Sequence, residues 1–103
     1  MIQKLNEDGK VAVLYSPGFG AGWYTWNYDY PEIIFDPAIV KFVEKKQFDE
    51  LATYVTLKYP DIFTGGMEDL TVEWIPEGAM FKVNEYDGSE SIELKESDDW
   101  LVA

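Results

Sequence analysis

Apolar residues run unbroken from 11 to 14 in KVAVLYS, with Pro17 and a group of glycines directly behind. A short β-branched run closed by turn residues predicts a buried strand over residues 10 to 16. Residues 32 to 35 (EIIF) predict a second, shorter strand. At Asp36-Pro37 the pattern changes. Asp caps free backbone N–H groups, Pro fits the first helical position, and Ile39, Val40, Phe42 and Val43 then share one side against Lys41, Glu44, Lys45 and Lys46. Phe48, Leu51, Ala52, Val55 and Tyr59 follow at helical spacing until Pro60, which predicts a second core-facing helix. Beyond the turn residues Thr64-Gly65-Gly66 the period becomes two. Leu70, Val72 and Trp74 alternate with Thr71 and Glu73. A strand over residues 80 to 86, the Asp87-Gly88 turn and a strand over residues 89 to 95 complete the pattern. Trp100, Leu101 and Val102 supply a last strand or cover an apolar edge. The expected fold is α+β: an antiparallel meander with two short helices packed on one face, in one domain spanning residues 1 to 103.

Composition narrows the chemistry. The 103 residues contain no Cys, His or Arg, and all eight basic residues are Lys. This removes disulfides, sulfur-ligated zinc, imidazole bases and the bidentate guanidinium clamp. No run of apolar residues is long enough for a membrane span, and the N-terminus lacks the basic-then-apolar order of a signal peptide, so a cytoplasmic setting is expected. The formal charge is −12, and residues 68 to 103 hold eleven acids against Lys82 and Lys95. That field disfavours direct binding to nucleic acid and acidic membranes and favours a basic protein partner.

Two constellations stand out. The first is the segment PGFGAGWYTWNYDYP, with three glycines and six aromatics in fifteen residues. It departs from dinucleotide and Walker loops in spacing and lacks the Lys-Ser/Thr of the latter. Its backbone N–H groups could form an anion-binding nest, and its rings could stack a small flat ligand such as a nucleotide. Gly18, Phe19, Gly20, Gly22, Trp23, Tyr24, Trp26 and Asn27 are the candidate ligand-binding residues, with help from Tyr28 and Tyr30 and with Lys10 or Lys41 to neutralise an anionic part. The competing structural reading gives the glycines to a tight loop and the rings to the core or to a homo-oligomer interface. The second constellation is the acidic surface of the C-terminal third. Glu85, Asp87, Glu90, Glu93 and Glu96 are its candidate partner-binding residues, either imitating a phosphate backbone against a basic protein or simply solvating the domain. Glu68-Asp69, Asp87 to Glu90 and Asp98-Asp99 lack the ligand spacing of a calcium loop, so neither a metal nor a cofactor is expected. The absences point to a non-enzymatic binding protein.

The segments VLYSPGFGAGWYTWN, IIFDP, TGG and WIPEGAMFKVNEYDGSE together resemble small acidic accessory proteins of tailed bacteriophages. The resemblance implies a viral protein made in a bacterial cytoplasm, countering host defence by blocking a protein or sequestering a signalling nucleotide. It assigns no functional residues.

Overall fold

Residue pairing and packing divide the chain into three layers. The computed structural model describes residues 2–94 and 101–103; Lys95, Glu96, Asp98, Asp99 and Trp100 lie outside the described residues. The strands are β1 (Asn6–Glu7), β2 (Lys10–Tyr15), β3 (Thr71–Pro76), β4 (Met80–Tyr86), β5 (Ser89–Leu94) and β6 (Leu101–Val102). The helices are α1 (Pro37–Glu44) and α2 (Phe48–Lys58).

The architecture is α+β with antiparallel pairing throughout, but the strands expected to run as one meander divide between two sheets, ordered β1-β2-β3 and β5-β4-β6. β2 explains the division. Its Ala12 and Leu14 enter a core with α1 and α2, through Ile39, Val40, Val43, Leu51 and Val55, while Val11 and Val13 enter a second core with Phe81, Ile34 and Ile75. A strand apolar on both faces belongs inside the molecule and needs a ladder partner on each edge. β3 supplies one of them, with Val11 opposite Ile75 and Leu14 opposite Val72. Pro76 to Ala79 is therefore a corner rather than a hairpin turn. Glu77 N–H donates to the Gly9 carbonyl in the β1–β2 turn of the first sheet and Gly78 N–H donates to the Ala103 carbonyl beside the second. β4 then takes β5 and β6 as neighbours, so Leu101 and Val102 do add a last strand.

The helices start and stop as their sequence dictates. The Asp36 carboxylate accepts from Ala38 N–H and Ile39 N–H, and Pro37 opens the first turn. Between the helices Lys46 takes φ +56°. Its N–H donates to the Val43 carbonyl and Gln47 N–H donates to the Phe42 carbonyl, the paired bonds of a Schellman stop. Residues 32 to 35 are not a strand. Pro31–Ile34 is a 3₁₀ helix begun by the proline, and its two β-branched residues face different cores, Ile33 toward the helices and Ile34 toward the second sheet.

Candidate functional site: an aromatic loop held by an acidic hairpin

Residues 16 to 30 join β2 to the 3₁₀ helix Pro31–Ile34, with a further 3₁₀ turn at Tyr24–Trp26, and are clamped from two sides. Gly20 N–H donates to the Asp87 carbonyl at 2.9 Å, and the Ser89 hydroxyl donates to the Pro17 carbonyl at 2.7 Å. Asp87 and Gly88, at φ +52° and +86°, form the β4–β5 turn, and a Cβ on Gly88 would fall on the Ala21 amide. On the other side, a Cβ on Gly66 would lie 2.8 Å from the Gly22 carbonyl oxygen. Gly22 itself is closed in by the Thr25 hydroxyl and the Trp26 ring. Backbone packs on backbone here, and glycine is required because a side chain has nowhere to go. Gly18 is half-buried, against the Asp69 side chain.

Two buried polar side chains fasten the clamp. Glu90 is 2% exposed; one carboxylate oxygen accepts from Ser16 N–H at 2.9 Å, the other from Thr25 N–H at 2.9 Å and the Thr25 hydroxyl at 2.6 Å. Asn27 donates to the Trp23 carbonyl at 2.8 Å and the Phe63 carbonyl at 3.0 Å and accepts from Phe63 N–H at 2.7 Å. The sequence pattern places both on binding surfaces, and the structure does not. Their hydrogen-bonding capacity is instead spent on holding the loop, since a buried polar atom left unpaired costs about 1–3 kcal/mol.

The predicted ligand-binding rings separate in the same way. Trp23 is completely buried in the helix-side core, and its indole N–H donates to the Ile33 carbonyl at 3.1 Å, so it is not a stacking surface. Tyr24 is half-buried; burial, with the neighbouring Tyr28, pushes its hydroxyl above the ordinary range. Tyr24 meets Tyr28 edge-on at 5.2 Å, and Trp26 leans on Phe63 at 4.9 Å. These rings are thus in contact in pairs. Lys10 and Lys41 are exposed, and neither lines the groove beside Trp26.

What the loop presents outward is Phe19, 75% exposed, Trp26, and Tyr28, 64% exposed. Phe19 lines a shallow groove of about 240 Å³ with Asn84, Glu85, Ser89 and Tyr86, the last 78% exposed. Of the predicted acidic residues, Glu85, Asp87 and Glu93 are exposed, and Glu85 also accepts from Gly88 N–H at 2.6 Å. The fold thus joins the two constellations that the sequence keeps at opposite ends of the chain. Trp26 and Tyr28 line a separate groove of about 450 Å³ with Asp29, Tyr30, Asp61 and Phe63.

Sequence reasoning also missed a network. Asp36, read as a cap alone, accepts from the Tyr59 hydroxyl at 2.6 Å, the Tyr54 hydroxyl at 2.9 Å and Lys58 Nζ at 3.3 Å. It sits at a cleft of about 530 Å³ lined by Gln3, Glu32, Lys58 and Tyr59. The signal was the placement of Tyr54, Lys58 and Tyr59 within about one helical turn. Burial opposes ionisation of Asp36, but the two tyrosine hydrogen bonds, the Lys58 charge and the Ile39 N–H together hold its carboxyl below the ordinary value. The Tyr54 hydrogen bond and the Asp36 charge raise Lys58 despite partial burial, while burial followed by contact with Asp36 raises Tyr59. Each group is driven further into the form it already has at neutral pH, the reverse of what proton transfer needs. Its observed work is to join the start of α1 to the end of α2.

Among the described residues no three acidic side chains come together to hold a metal, and no helix is long and apolar enough to cross a membrane. No family model, curated protein or solved structure matches this chain.

Proposed function

We propose that this protein is a non-enzymatic binding protein that docks its acidic β4–β5 hairpin on a basic surface of a protein partner, with Phe19 and Tyr86 as anchors. The observation that carries the reading is that two rings from distant parts of the chain, each three-quarters exposed, line one groove with Glu85 beside the acidic turn. Such rings are expensive to leave in water and are typical interface anchors when ringed by polar groups. The net charge of −12 supplies long-range attraction for a basic partner. The resemblance to phage accessory proteins makes a bacterial host protein the natural partner and its inhibition the natural outcome. The loop as a nucleotide pocket has less support, because Trp23, Asn27 and the Gly20 N–H are already engaged in the fold.

The test is capture of a partner from bacterial lysate, followed by affinity measurement with the purified partner over a salt series. Binding should weaken steeply with salt, and Tyr86→Ala should cost about 2 kcal/mol, roughly thirtyfold in Kd. A partner whose affinity ignores both salt and Tyr86 refutes the reading.

A further inference from the structure

The groove beside Trp26 is lined by rings, by carboxylates, and by the polar Thr25 and Asn27, whose side chains are already bonded to Glu90 and to the carbonyls of Trp23 and Phe63. Trp26, Tyr28, Tyr30 and Phe63 supply aromatic rings, and Asp29 and Asp61 supply negative charge; no lysine lines it. Its volume of about 450 Å³ exceeds that of a single side chain. The rings present a negative π face, which attracts cations, with Trp the strongest donor of that kind. The carboxylates add the same sign. Phosphates are repelled on both counts, and a neutral flat ring gains no charge attraction from the two aspartates, which are exposed. The complementary occupant is therefore flat, cationic and able to donate several hydrogen bonds in its plane.

We infer that this groove binds the guanidinium group of an arginine side chain carried on an extended basic peptide segment. Guanidinium stacks on aromatic faces while its fork of N–H groups reaches carboxylates at the rim, which a compact ammonium does less well. The site is already held in shape. Asn27 ties residue 63 to the loop through bonds at 2.7 and 3.0 Å, and Trp26 rests on Phe63, so little ordering is required on binding. The inference stands on the groove's own lining and does not depend on the hairpin surface.

The experiment is an amide and indole NMR titration of the full chain with a blocked tripeptide centred on arginine, beside its lysine and citrulline counterparts. Citrulline keeps the shape and removes the charge. The expected result is movement of the Trp26 indole and Asn27 side-chain signals by the arginine peptide, with citrulline at least tenfold weaker and lysine at least threefold weaker. Asp29→Asn with Asp61→Asn should lower the affinity about tenfold and Tyr28→Ala about fivefold; all three positions are exposed, so the fold is retained. Glu93→Lys, on the hairpin, should leave the affinity within about twofold. Equal binding of citrulline or lysine overturns the assignment, as do signal changes centred on Phe19 and Tyr86, unchanged affinity in the Asp29/Asp61 variant, or no binding.

Discussion

Gly88 and Gly78 have nearly the same φ, +86° and +84°, in opposite surroundings. Gly88 faces the Ala21 amide, and nothing lies near a Cβ built on Gly78. Gly78→Ala should cost about 1 kcal/mol, the penalty of the left-handed conformation alone, whereas Gly88→Ala should cost about 3 kcal/mol because the loop must also be displaced. Urea unfolding of the two variants measures the difference. Glu90→Gln leaves an amide N–H aimed at a backbone or hydroxyl donor and should cost about 2 kcal/mol in the same assay. At this scale the sequence was partly legible. Asp87-Gly88 announced its turn through the positive φ that both residues tolerate, and the same pair at Asp8-Gly9, φ +54° and +78°, makes the overlooked β1–β2 hairpin. Trp23, Asn27 and Glu90 were misread because nothing in residue type separates a ring or carboxylate turned inward from one turned outward.

The start of α1 and the end of α2 are legible in the sequence because they are local, while the break between the helices is not. Asp36-Pro37 and the stripe Leu51, Val55, Tyr59 carry their own geometry, and all four flanking apolar positions Ile39, Val40, Leu51 and Val55 are buried. The break between α1 and α2 rests on Lys46 in the left-handed region that glycine prefers. Lys46→Gly should therefore raise stability by about 1 kcal/mol, read as a higher thermal midpoint. The Asp36 network gives the helical pair a pH signature. Because the folded carboxyl lies below its usual value of 3.8, its contribution is present above that pH and is lost as the pH falls through the lowered value. Tyr54 and Tyr59 are raised from 10.0, so their contribution is present below pH 10 and is lost above it. Stability measured against pH should decline at both ends, and Asp36→Asn should flatten the acid limb while lowering the plateau. The EIIF segment shows the limit of local reading: β-branched residues suggested a strand, but Pro31 and the demand to fill two cores made a 3₁₀ turn.

For the whole molecule, strand partnership was the illegible part. β3 has the alternation of a strand and is followed by turn residues, so a hairpin with β4 was the local solution. Its actual partner, β2, is selected by the need to bury a strand on both faces, which only the complete set of elements expresses. The same long-range assembly brings the glycine–aromatic loop against the acidic hairpin and leaves Phe19 and Tyr86 on one surface. The measurement that tests the proposed docking most directly is the Kd of the purified partner, over a salt series, for the native chain and for Phe19→Ser/Tyr86→Ser and Asp87→Asn/Glu93→Lys variants. Glu85 and Glu90 are spared because their carboxylates hold Gly88, Ser16 and Thr25. Affinity should fall steeply with salt and at least thirtyfold in each double variant, with circular dichroism unchanged. Affinity insensitive to salt and to both pairs of substitutions would contradict the proposed docking.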